Sequence, residues 1–294
     1  MTTRFVALGD SVTEGLGDPL PGGGWRGYAR LLADSLGPRE EVLFGNLAGS
    51  GATSRDLAAD QLPLALAFRP TLACVLAGVN DTLRGDFGLA GIAADLDAVV
   101  GGLSDAGATV MTARLPDPGL MLGVPDLVRR PLTRRVRAIN AVLDRLADRY
   151  GTVHVDLASH PALYERRMWG VDRLHPSERG HRLLARLFAA ELAARGVAVR
   201  ALPAEEPAGR DPSAWASVRW MAVEGTGWLA RRSRDFLPRL GALVVREAWY
   251  AARGRTAALD ERFLAELEPA LRRLPPVPAR EPQHVPPRAR EISA

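Results

Sequence analysis

Short, mostly apolar runs alternate along this chain with longer stretches whose apolar residues recur every three to four positions. The runs at Arg4–Leu8, Glu41–Asn46, Thr71–Ala77, Ala108–Ala113 and Thr152–Asp156 predict strands. The helical spacing predicts helices at Trp25–Leu36, Ser54–Phe68, Leu89–Asp105, Leu127–Tyr150 and Pro176–Arg195, the last opening on a proline in its first turn. Thr71–Ala77 is apolar throughout, as expected of a strand covered on both faces. Five strands interleaved with helices imply an α/β fold with a parallel, doubly wound sheet and helices on both sides.

The pattern changes near residue 200. Residues 1–200 form the expected main domain, and 201–212 read as a linker rich in proline and acids. Residues 213–274 read as a helical C-terminal arm, with helices expected over about 240–253 and 259–273. The Pro- and Arg-rich stretch 275–294 lacks the apolar residues needed for a core, so it is expected to be disordered. Trp215, Trp220 and Trp228 lie near Arg231-Arg232-Ser233-Arg234. That mixture suits an arm covering the main domain, a contact with a second subunit in a homo-oligomer, or a helix on a membrane surface; the arm is preferred.

Composition narrows the chemistry. Apolar residues make up 47% and charged residues 24%, the balance of a globular protein, and no run is long enough for a transmembrane segment. Every basic side chain is arginine, so Schiff-base, pyridoxal-phosphate and phosphate-loop chemistry all lack their lysine. The net charge of +4 is dispersed among acids, which argues against a nucleic-acid partner. Cys74 is the single cysteine, so no internal disulfide or multi-thiolate metal site is possible. No signal-peptide core follows Met1-Thr2-Thr3-Arg4, and the chain reads as cytoplasmic.

In a doubly wound sheet, functional groups gather where strands end. Gly9-Asp10-Ser11 follows the first strand, and Asn46-Leu47-Ala48-Gly49-Ser50-Gly51 the second. Gly78-Val79-Asn80-Asp81 ends the third, and Asp172-Arg173-Leu174-His175 precedes the last helix. These are the parts acyl transfer needs. A serine hydroxyl becomes nucleophilic when a neutral imidazole takes its proton, and a carboxylate fixes the imidazole tautomer. Ser11, His175 and Asp172 are the candidates, since a turn can bring the carboxylate to a ring three residues on. The developing oxyanion needs donors already in place. The N–H groups of Ser11 and Gly51 and the amide of Asn80 are candidates for that oxyanion hole.

These four blocks, in this order, resemble the SGNH (GDSL-type) hydrolase family over about residues 1–200. The resemblance implies a flavodoxin-like three-layer α/β/α sandwich and hydrolysis of esters or related acyl bonds, with no metal and no cofactor. It implies catalytic roles for Ser11, Asp172 and His175 and an oxyanion hole of Ser11, Gly51 and Asn80. Val12 stands where the family motif has leucine, an apolar exchange that touches no catalytic group. Gly49 competes with Gly51, whose spacing from Asn46 fits better. The expected substrate is a small-molecule, glycan or lipid ester.

Plainer readings stand beside these. Ser11 alone would be a helix cap, Asn80-Asp81 a turn, and Cys74 a core thiol. Asp10 is expected to stabilise its turn through backbone N–H groups, and His181 to pack or face solvent. His160 is a candidate for the site entrance. Leu115, Leu120, Met121, Leu122 and Trp169 suit either an acyl pocket or core cover. Acyl transfer to another alcohol, or a non-catalytic binding module on the same fold, stay open as alternatives.

Overall fold

The computed structural model describes residues 2–170, 172–207 and 241–276. Five strands, β1 (Thr3–Gly9), β2 (Val42–Asn46), β3 (Leu72–Leu76), β4 (Thr109–Arg114) and β5 (Val153–Asp156), form one sheet in the order β2-β1-β3-β4-β5. Every pairing is parallel, and the order is the flavodoxin-like one. The register sets Ala7 against Asn46 and Gly9 against Leu76, so the strand ends that carry the polar blocks lie side by side. Phe5, Val6, Ala7 and Leu8 are fully buried, and β3 is buried along its whole length.

Helices cover both faces. On one, α2 (Gly27–Leu36) packs against α9 (Glu178–Ala194). On the other, α4 (Leu62–Phe68), α6 (Leu89–Asp105) and α8 (Asp126–Tyr150) lie together. The short helices α1 (Ser11–Glu14), α3 (Ser54–Asp56), α5 (Val79–Thr82) and α7 (Pro118–Leu122) stand at or beyond strand ends.

Three local expectations need correction. The helix expected over Ser54–Phe68 is divided by a π-turn at Leu57–Gln61. That wider turn sets the buried Gln61 side chain against Gly9, where it accepts from the Gly9 N–H and donates to its carbonyl, both at 2.9 Å. Pro176 stands one residue before the N-cap and outside its helix, because Ser177 is that cap and its hydroxyl accepts from Gly180 N–H. Between Arg114 and Asp126, where the apolar spacing predicts neither strand nor helix, the chain forms α7, capped by the Asp117 carboxylate at Gly119 and Leu120 N–H.

Beyond the main fold, residues 241–251 are helical (α10), followed by α11 (Thr256–Arg273). Helix α11 lies on α6 and α8, burying Ala270 and Leu274 in the common core. Arg134 of α8 donates to both Glu247 oxygens at 2.5 and 3.0 Å and also bonds Asp260. Glu247 is 1% exposed, and that partner meets both of its oxygens where water does not reach. No described helix is long and apolar enough to cross a membrane. The expectations for Trp215, Trp220, Trp228, Arg231–Arg234 and the stretch from 277 on fall outside the described residues. Glu247→Ala, which leaves Arg134 with Asp260 alone, is expected to lower unfolding free energy by about 3 kcal/mol in a urea titration.

Candidate active site

Strand β1 ends at Gly9, and the chain turns into α1 one residue later. The Asp10 carboxylate makes that turn by accepting from Val12 N–H at 3.0 Å, so Ser11 is the first helical residue. A side chain on Gly9 would put its Cβ 2.2 Å from Thr13 Oγ1, so only glycine permits this return. Ser11 is 9% exposed.

His175 reaches Ser11 from far along the chain. Its Nε2 lies 2.8 Å from Ser11 Oγ, and its Nδ1 lies 2.6 Å from Asp172 Oδ2. The other Asp172 oxygen accepts the N–H groups of Leu174 and His175 at 2.9 and 3.1 Å, the turn that brings carboxylate to ring. Arg173 within that turn has φ +55°, a left-handed conformation that non-glycine residues avoid. Burial alone would raise the Asp172 pKa. The His175 ring and the two backbone N–H groups outweigh it and hold the carboxyl below its ordinary value.

Backing holds the ring in place. The Gly170 N–H donates to the His175 carbonyl at 2.8 Å, and Trp169 bridges to Pro176. Gly17, at φ +101°, leaves no room for a Cβ, which would lie 2.0 Å from the Pro176 carbonyl oxygen. The loop carrying Gly17 is tied to α9 by Arg26, which holds Asp18 bidentately at 2.9 Å and Glu178 at 2.8 Å.

The remaining predicted site residues meet at the same place. Asn80 in α5 donates from Nδ2 to Asp10 Oδ2 at 2.9 Å and to the Ala52 carbonyl at 3.1 Å. Beside it, Asp81 accepts from the Ser54 hydroxyl at 2.7 Å and from its N–H, joining α5 to the loop that carries Gly51. Burial raises the Asp81 pKa against those bonds. Gly51 has φ +83° and faces the cavity. The Gly49 N–H is engaged by the Gly9 carbonyl at 3.2 Å, whereas the N–H groups of Ser11 and Gly51 meet no acceptor among the described residues. That distinction favours Gly51 over Gly49 as a donor.

A cavity of about 570 Å³ opens from Ser11, His175, Gly51 and Asn80. Much of its lining is apolar, including Leu115, Met121, Leu122, Leu163 and Trp169, and Asp10 and Asp172 are the carboxylates on it. Leu120, expected with this group, is 50% exposed and outside the lining. His160 does not line it either; it begins the 3-10 turn Pro161–Tyr164. Among the described residues no group of His, Cys, Asp and Glu is arranged to hold a metal.

His181 is completely buried, resolving its sequence-based alternative in favour of packing. Its Nδ1 accepts from Tyr28 N–H at 3.2 Å and its Nε2 donates to the Leu16 carbonyl at 2.8 Å. Those bonds fix a neutral ring, and desolvation lowers its pKa to about 4. Gln61, which bonds the Gly9 backbone, and His181, which bonds the backbone of Tyr28 and Leu16, carry no sequence motif.

Hydroxyl, imidazole and carboxylate thus stand in line at the strand ends of a parallel α/β sheet. The chain belongs to the GDSL-like lipase/acylhydrolase family, whose model matches residues 7–183 and spans every predicted site residue. Membership assigns it to ester hydrolysis as a class. Among solved structures it is similar to Axe2, an acetylxylan esterase from Geobacillus stearothermophilus, at 24% identity and TM-score 0.51, covering 65% of this chain and 94% of that one. It is likewise similar to LAE5, an alpha/beta hydrolase enzyme from the metagenome of Lake Arreo, at 22% identity and TM-score 0.52, covering 66% and 97%. At those identities the likeness shows the fold. No match to a curated protein sequence is found.

His181 generates a stability prediction. Its folded pKa near 4 lies below the ordinary imidazole value of 6.5, so between those values the unfolded chain binds more protons. Stability is therefore fully present above pH 6.5 and falls as the pH drops toward 4, by about 3 kcal/mol in total. Urea titrations across that window are expected to show the fall in the wild type and a flatter dependence in His181→Gln.

Proposed function

We propose that the protein hydrolyses carboxylic esters through an acyl-enzyme on Ser11. The observation that carries this reading is the continuous relay from Ser11 Oγ to His175 Nε2 at 2.8 Å and from His175 Nδ1 to Asp172 at 2.6 Å. As Ser11 Oγ bonds to the ester carbonyl carbon, its proton passes to His175 Nε2. Asp172 holds the ring tautomer and offsets the imidazolium charge. The carbonyl oxygen becomes an oxyanion facing the N–H groups of Ser11 and Gly51 and the Asn80 amide, which must share a proton now directed at Asp10 or Ala52. Collapse breaks the bond to the alkoxy oxygen, and His175 gives its proton to that leaving alcohol. Water then attacks the acyl carbonyl as His175 takes its proton, and the acid departs when the proton returns to Ser11.

The acyl group is an apolar chain longer than acetyl. Axe2 is described as an acetylxylan esterase, and an acetyl group would leave most of a 570 Å³ leucine-, methionine- and tryptophan-lined cavity unfilled. Each methylene moved from water into such a lining contributes about 0.8 kcal/mol, roughly fourfold in kcat/KM when the transition state keeps the contact.

A p-nitrophenyl ester series from acetate to decanoate tests both parts. Ser11→Ala is expected to lose turnover and labelling by an organophosphonate. In the wild type, kcat/KM should climb roughly fourfold per methylene until the cavity is full. Met121→Trp, which adds bulk to the cavity's apolar lining, should move the optimum toward shorter chains. Turnover that survives in Ser11→Ala refutes the acyl-enzyme, and a series that peaks at acetate refutes the chain-length reading.

A further inference from the structure

The family match ends at residue 183, yet the segment beyond it touches the support of the site. Helix α5 is four residues long and carries Asn80, and so short a helix contributes little stability of its own. Its end is held by Arg135 of α8, whose Nη1 donates to the carbonyls of Thr82 and Arg84, both at 2.8 Å. A cation at the carboxyl end of a helix meets carbonyls that have no helical partner.

Arg135 is unusual for a buried cation. It is 9% exposed, and no described carboxylate bonds or pairs with it. Its guanidinium lies over the Phe87 ring, 4.6 Å from the centroid, and the Phe87 ring stacks on Phe263 of α11 at 6.3 Å. The adjoining Arg134 binds Glu247 of α10 and Asp260 of α11. The arm therefore holds α8 at one arginine while its Phe263 backs the ring on which the next arginine rests.

We propose that the C-terminal helices set the position of the Asn80 turn, with Phe263 and Phe87 holding Arg135 on the carbonyls that end α5. Arg135 and Phe263 are positioning residues, since neither lines the cavity. Removal of the arm's support leaves the Ser11–His175–Asp172 relay assembled and displaces an oxyanion donor, so the loss falls on kcat and spares KM. The proposal rests on Asn80 acting as an oxyanion donor.

The test uses the full chain and counts folded sites with an organophosphonate titrant, so that all rates are expressed per active site. Arg135→Met keeps the apolar stem and removes both donors; it is expected to lower kcat roughly tenfold to a hundredfold, with KM within about twofold. Arg135→Lys, which can still reach one carbonyl, should recover part of that loss. Phe263→Ala, at a half-buried ring outside the main fold, should lower kcat in the same direction and serves if Arg135→Met fails to fold. In an Asn80→Ala background, both substitutions should change kcat by no more than about twofold, because the donor they position is gone. Unchanged kcat per site in Arg135→Met and Phe263→Ala, or full losses that persist in the Asn80→Ala background, overturn the proposal. If Asn80→Ala itself turns over like the wild type, the assigned oxyanion role fails, and this inference falls with it; a slow Asn80→Ala beside a normal Arg135→Met sinks the inference alone.

Discussion

The geometry of the site depends on how β1 stops. Gly9 pairs with Leu76 in the sheet, while the Gln61 side chain bonds its N–H and carbonyl at 2.9 Å each. The last peptide of the strand is thus held on two sides, and Asp10 starts a helix at the next residue. Because Gly9 has no Cβ, α1 folds back tightly enough for Thr13 to occupy the space above it. Ser11 inherits its position from these contacts. Asp10, whose carboxylate makes the turn, also receives the Asn80 amide, so the Ser11 turn and the α5 turn are fixed relative to each other.

Two histidines near this point take opposite parts. His175 has one ring nitrogen on a carboxylate and the other on a hydroxyl, an arrangement that can accept a proton and stabilise the resulting charge. His181 faces a backbone N–H and a backbone carbonyl in complete burial, where a charged ring would find no carboxylate bonded to it. Its depressed pKa follows from that setting. Burial alone therefore does not distinguish a base from a structural ring; the partners do.

The strands, their parallel pairing and the meeting of the four polar blocks at one sheet edge were legible because each depends on local pattern: apolar runs, glycine turns, and polar residues after a strand. Ser11, Gly51, Asn80, Asp172 and His175 converge because the sheet register sets their loops side by side. Gln61 was not legible, since its role arises from a π-turn within a stretch whose spacing reads as an ordinary helix. Pro176 misled because proline suits N′ as well as the first turn, and Ser177 offered the better cap. Leu120 and His160 lie in segments that do approach the site, but side-chain direction within a short helix or a 3-10 turn is set by tertiary packing. Arg135 gave no signal at all, being one arginine among many on an amphipathic helix.

Arg134 and Arg135 show why composition could not separate these cases. They are neighbours in sequence and, on a helix, point in directions about 100° apart. One finds the carboxylates of the arm, as a surface arginine commonly does. The other finds carbonyls, an aromatic face and the repulsion of Arg246, and burial pulls its pKa down to about 10. It is still a cation at neutral pH, held without a bonded carboxylate. An apolar residue would spare the fold that desolvation. What it would not supply is a pair of donors on the two carbonyls that close α5. The cost of burying Arg135 and the fixed position of Asn80 are thus two sides of one arrangement, and α11 supplies the aromatic ring behind it.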